Sequence, residues 1–119
     1  MDDHLASYRR AELFFEAGDP LHAAKLLEPI LAAEPTHSDV RLLLARAYFH
    51  SAQLRRAEEQ FRILVERNPS DHYARFALGR TLERLGRPAD ALPQFRMAAA
   101  MHPDAEYLDA VDRIAARLA

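Results

Sequence analysis

A period of 34 residues runs through this chain and constrains its fold more than any other feature. Pro35, Pro69 and Pro103 stand 34 residues apart. So do Ala23, Ala57 and Ala91, and so do Leu27, Phe61 and Phe95. Phe14, Tyr48 and Leu82 keep the same register, as do Ala11, Ala45 and Gly79. Self-similarity at this spacing means that one supersecondary unit is used three times, each copy burying its apolar face on its neighbours.

Each unit reads as two helices. In the second, Val40, Leu43, Leu44, Ala47 and Tyr48 fall at i, i+3, i+4, i+7 and i+8, one apolar face of a helix. Ala57, Phe61, Leu64 and Val65 make the matching face of the helix that follows. Gly18-Asp19-Pro20 is punctuation between them: a glycine stop, an aspartate N-cap and a proline in the first turn. Gly86-Arg87-Pro88 does similar work in the third unit. Thr36 with Asp39 forms a pair resembling a capping box, and Ser70 and Asp104 are the expected caps after Pro69 and Pro103. The small residues Ala23, Ala57 and Ala91 mark the places where two helices cross closely, with Ala11, Ala45 and Gly79 on the facing side. Pro29 and Pro93 fall inside second helices, where altered curvature is expected. A last amphipathic helix is expected over about 105–118, with Tyr107 or Leu108, then Val111, Ile114, Ala115 and Leu118 on its apolar face.

This pattern resembles the tetratricopeptide repeat family: a small residue and an aromatic in the first helix, alanine then an aromatic in the second, and a closing proline. The resemblance covers about residues 4–105. It implies an all-α, right-handed superhelical solenoid of antiparallel helix pairs, about seven helices in all. The expected organisation is one domain over 1–119, with repeats at about 4–37, 38–71 and 72–105 and the final helix as a cap. The chain departs from the family pattern at the repeat-opening tryptophan, replaced by Ser7, Arg41 and Arg75. It departs again at Ala52, where a glycine is usual, and at Arg10, where leucine is expected.

Composition narrows the function. Cysteine is absent, so there is neither a disulfide framework nor thiolate chemistry. The formal net charge is −2 and the pI about 6.3, which speaks against a nucleic-acid surface. Residues 1–5 carry two aspartates and no apolar run, unlike a secretory signal. No apolar stretch has the length of a membrane span. A cytoplasmic location is the expectation. The chain has only three glycines and no glycine-rich phosphate loop. His4, His37 and His72 recur about one repeat apart, too far for one shared metal ion, and read as exposed junction residues. Glu12 and Glu16 share a helical face and read as a solvated pair, not as acid and base. No catalytic residue, cofactor site or metal site is therefore expected, and the chain reads as a non-enzyme.

In tetratricopeptide proteins the first helices of successive repeats line a concave surface. The resemblance places Tyr8, Glu12 and Phe15 there, with Leu5 and Glu16 beside them. Leu42, Arg46, Phe49 and His50 follow from the second repeat, with Asp39, and Tyr73, Phe76, Arg80 and Arg84 from the third, with Glu83. Two features mark this set. Tyr8, Phe15, Leu42, Phe49, Tyr73 and Phe76 form an apolar, aromatic stripe. Charge is polarised, with Glu12, Glu16 and Asp39 towards one end and Arg46, Arg80 and Arg84 towards the other. Apolar patches of this kind and aromatic-plus-arginine composition characterise interfaces. The expected role is capture of an extended or helical segment of a partner protein or peptide. An apolar side chain is expected among Phe49, Tyr73 and Phe76, and an acidic group at Arg46 and Arg80. Packing of the same aromatics between adjacent first helices is the competing arrangement. Family members that grip heat-shock protein C-termini use a Lys/Asn/Arg clamp. Its positions here hold Tyr8, Glu12, Leu43, Tyr73 and Ala77, so that clamp is not expected. The alternative role is a self-associating scaffold, such as a homodimer, whose groove or open end is filled by another copy.

Overall fold

A computed structural model describes residues 3–119. Among them are seven α-helices and no strand: α1 (His4–Glu16), α2 (Pro20–Ala33), α3 (Ser38–His50), α4 (Leu54–Arg67), α5 (His72–Arg84), α6 (Pro88–Met101) and α7 (Ala105–Leu118). The chain gathers into two compact units that divide within α4, after Gln60.

In the first unit, α2 packs on both α1 and α3, and α1 also touches α3. The core consists of Ala11, Ala23, Ala24, Leu27 and Ile30, with Val40, Leu44, Ala45 and Ala47 of α3. Every alanine marked by the repeat as a crossing point in this unit is fully buried. A methyl group is the largest side chain that lets two helix backbones approach so closely. Tyr48 is buried as well, and its hydroxyl donates to Glu28 Oε2 of α2 at 2.5 Å.

In the second unit, α6 packs on α5 and α7. Phe95 is fully buried against Gly79, where a Cβ atom would lie 2.6 Å from its ring. Glycine at this crossing, in place of the alanine used in the other repeats, makes room for the ring. Tyr107 of α7 stacks on Phe76 with ring centroids 4.5 Å apart, and its hydroxyl lies 2.9 Å from His72 Nδ1. His72 also stacks on His102 at 4.3 Å, so it is a packed junction residue instead of a merely exposed one.

The helix ends follow from capping chemistry. Gly18 has φ +84° and Asp19 accepts from the backbone N–H of His22, so helix stop and N-cap fall where the sequence places them. Two caps fall one residue later than expected. His37, not Thr36, caps α3 by accepting from Val40 N, and Asp71, not Ser70, caps α5 by accepting from Ala74 N. Asp104 caps α7 as expected, accepting from Glu106 N. α2 and α6 run unbroken through Pro29 and Pro93.

Ala52 occupies the turn position that Gly18 and Gly86 hold in the other repeats, and it has φ +61°. A left-handed alanine costs roughly 1–2 kcal/mol of strain, and glycine removes it at an entropic cost of about half that. Ala52→Gly is therefore expected to raise stability by up to about 1 kcal/mol, read as a higher urea midpoint with an unchanged slope.

The two arginines at the missing tryptophan positions repeat one contact set. Arg41, only 5% exposed, donates from Nη1 to Gln60 Oε1 at 2.5 Å and from Nη2 to the Pro35 carbonyl at 2.6 Å. Arg75 donates from Nε to the Pro69 carbonyl at 2.9 Å and from Nη1 to Gln94 Oε1 at 3.3 Å. Each guanidinium thus ties the carbonyl of a helix-ending proline to a glutamine 19 residues downstream.

Candidate functional site

The first unit carries seven of the proposed groove residues on the neighbouring faces of α1 and α3. Arg46 projects from α3 over Phe15 of α1, its guanidinium carbon 4.8 Å from the ring centroid. His50, one turn further along α3, meets Phe15 edge to face at 5.5 Å and Phe49 at 5.3 Å. The Arg46 guanidinium thus lies over an aromatic ring, a cation–π contact. Its Nε is buried and has no hydrogen-bond partner. Phe15, Gly18, Pro20 and His50 line a shallow recess beside it.

Tyr8 and Glu12 lie two turns and one turn earlier on α1, respectively. Tyr8 is half-buried, and its hydroxyl is pushed above the usual tyrosine range by desolvation first, then by the negative charges of Glu12 and Asp39, with Arg46 opposing. Glu12, Asp39 and Arg46 are thus near enough to act on the Tyr8 hydroxyl. Leu42 is half-buried there.

A second concavity opens at the other end of the same surface. The N-terminal turns of α1 and α3 and the C-terminal turn of α2 enclose about 370 Å³. Leu5, Ile30 and Val40 supply apolar walls, and His4, Tyr8, Glu34, His37 and Asp39 supply polar ones. His4 Nδ1 lies 2.8 Å from Glu34 Oε2. Sequence reasoning missed Glu34 because it stands next to the helix-ending Pro35, outside the apolar periodicity. His4 and His37 were visible in sequence only as recurring junction residues.

The second unit holds the remaining four. Tyr73 is 39% exposed and Arg84 is exposed. Arg80 is exposed too, with its guanidinium carbon 6.0 Å from the Phe76 ring centroid. Phe76 itself is 5% exposed, locked between Phe95 and Tyr107. Phe49 is 6% exposed. The aromatic stripe thus separates into two kinds of residue. Phe49 and Phe76 are core, because their rings fill space that neighbouring side chains would otherwise leave empty. Tyr8, Phe15 and Tyr73 keep accessible surface. The expectation that an incoming side chain lodges against Phe49 and Phe76 is corrected accordingly.

Among the described residues, no three histidine, cysteine or acidic side chains are grouped as metal ligands, and no helix is long and apolar enough to cross a membrane.

Helix pairs of this geometry with this repeat define a class, and the sequence places the chain within it. A family model described as tetratricopeptide repeat matches residues 14–75, and a second with the same description matches residues 51–106. The chain belongs to the tetratricopeptide repeat family. No curated protein matches its sequence. Solved structures resemble it in fold. One is MamA MSR-1, with TM-score 0.87 and 23% identity, over 98% of this chain and 68% of that one. Another is the MamA RS-1 ArsTM double mutant, with TM-score 0.91 and 17% identity, over 97% and 65%. A third is the first tetratricopeptide domain of Spaghetti (RPAP3) bound to the HSP90 peptide SRMEEVD, with TM-score 0.88 and 20% identity, over 98% and 93%. At these identities the likeness is one of fold.

Proposed function

We propose that this protein is an interaction module that holds an acidic group of a partner segment at Arg46, on the α1–α3 face. The carrying observation is the Arg46 guanidinium laid on Phe15, with a buried Nε that has no partner. Such a cation is already oriented and partly desolvated, so a carboxylate arriving there loses little in ordering it. Among the fold relatives, the Spaghetti (RPAP3) domain is seen with a peptide rich in acidic residues, which supports this reading of the fold's use. In the second unit, Tyr73, Arg80 and Arg84 are exposed and are candidates in their own right. A cytoplasmic setting and a non-enzymatic role accord with it.

The test compares protein capture from a lysate of the source organism by wild type, Arg46→Glu and Phe15→Ala. Phe49→Asp, the obvious choice from sequence, is unsuitable because a charge there would be buried and would unfold the unit. A specific protein retained by wild type and lost at least tenfold by Arg46→Glu, with helicity by circular dichroism unchanged, is the expected result. Equal retention by Arg46→Glu removes Arg46 from the site. Recovery of this chain alone transfers the proposal to self-association, for which the exposed Leu13 and Leu21 near the first helix turn are the obvious surface.

A further inference from the structure

We infer that the concavity enclosed by the ends of α1, α2 and α3 receives a basic side chain, arginine or lysine, of the same partner segment whose acidic group Arg46 holds. This rests on the groove reading above and adds the partner's second anchor.

The chemistry of the walls selects the ligand. Leu5, Ile30 and Val40 form an apolar lining suited to a methylene stem, and both candidate side chains bury such a stem while keeping the charge at the rim. The carboxylate residues Glu34 and Asp39 and the ring-bearing Tyr8 share that lining. Carboxylate and aromatic face are the two groups that attract a guanidinium or ammonium ion, by ion pairing and by the ring quadrupole. Glu34 is oriented by its contact with His4 at 2.8 Å, so one carboxylate is positioned in advance. Glu34 and Asp39 are the two carboxylates among the lining residues, which include no arginine or lysine and whose other titratable groups are His4, His37 and Tyr8. An acidic or phosphorylated side chain would meet these two carboxylates and is disfavoured there. A volume of about 370 Å³ has room for the stem and head of one arginine or lysine side chain.

The two anchors have a fixed spacing. Asp39 and Arg46 lie seven residues apart on α3, about 10 Å along the helix at 1.5 Å per residue. An extended partner strand covers that distance in about three residues at 3.3 Å each. The partner motif is therefore a basic residue and an acidic residue about three positions apart.

The probe is N-acetyl-arginine amide, titrated into the labelled protein at pH 7.5 and low salt. Backbone amide shifts are followed by NMR, with N-acetyl-norleucine amide and N-acetyl-glutamate amide as controls. Saturable millimolar shifts at Tyr8, Ile30 and Val40 with the arginine probe alone are the expected result. Glu34→Gln with Asp39→Asn should weaken them at least tenfold, and 0.5 M salt should do so too. Arg46→Glu removes a nearby positive charge and should not weaken them, whereas it should abolish capture in the groove test. The inference is overturned by equal shifts with the norleucine probe, by saturable shifts with the glutamate probe, or by no saturable shift at these residues. In each of those cases capture through Arg46 can still succeed, so the two readings fail separately.

Discussion

Phe95→Ala is expected to lower the free energy of unfolding by about 3–5 kcal/mol. Its ring has no exposed surface and fills the crossing of α5 and α6. Truncation leaves a cavity walled by helices that cannot collapse onto each other. Since a domain of this kind is held by about 5–15 kcal/mol, the variant should sit near the edge of folding, with a sharply lower urea midpoint. The partner position supplies an independent check. Gly79→Ala gains about 1 kcal/mol of helix propensity, but the new methyl group would stand 2.6 Å from a ring that has no room to retreat. Overpacking of a well-filled site costs about 1–3 kcal/mol, so the clash should win and the variant should be destabilised. In a Phe95→Leu background the same substitution should become neutral or stabilising, a coupling of about 1 kcal/mol or more in a double-mutant cycle. A Gly79→Ala protein more stable than wild type would show that the two helices do not approach as described.

Tyr107→Ala should be nearly as costly, about 3 kcal/mol or more, and its effect should be concentrated in α7. The side chain is 6% exposed, stacks on Phe76 and meets His72 through its hydroxyl. Tyr107→Phe keeps the stack and removes only the hydroxyl, so about 1 kcal/mol is expected. Amide hydrogen exchange separates the two outcomes. The alanine variant should release the amides of α7 towards free exchange while α5 keeps most of its protection, whereas the phenylalanine variant should hardly alter the pattern. Uniform loss of protection across α5, α6 and α7 in the alanine variant would instead make α7 an integral part of one cooperative unit.

Most of the fold was legible because the repeat states each contact three times. Ala23, Leu27 and Phe61 were identified as core by register alone, and all are buried. Where a feature occurs once, legibility fell. Whether Tyr107 or Leu108 faces inward was undecided in sequence, since both lie on the edge of one stripe; the structure buries Tyr107 and leaves Leu108 exposed. Capping at Thr36 was misplaced by one residue because threonine is the better-known cap, whereas the imidazole of His37 does the accepting. At the candidate site, α1 and α3 positions were readable from period and charge. What was not readable was the depth of each side chain, because Phe15 and Phe49 look alike in sequence and differ only in how many neighbours surround them. The Arg41 and Arg75 contacts were missed for a related reason: the arginines were noted as replacements, but their glutamine partners lie 19 residues away with no apolar signal to draw attention.

The junction before α7 is one residue shorter than the two before it. The caps His37 and Asp71 are 34 positions apart, while Asp71 and Asp104 are 33 apart. The inward residues Tyr107, Ala110 and Ile114 accordingly stand 33 after Ala74, Ala77 and Thr81, all three buried. Each residue turns an α-helix by about 100°, so the deletion acts like a frameshift in the array. Anyone grafting a consensus repeat onto this protein must count from Asp104 and not from Pro103. A graft laid on the 34-residue frame would put Leu108, Val111 and Ala115 in the inward register and take Tyr107 out of it.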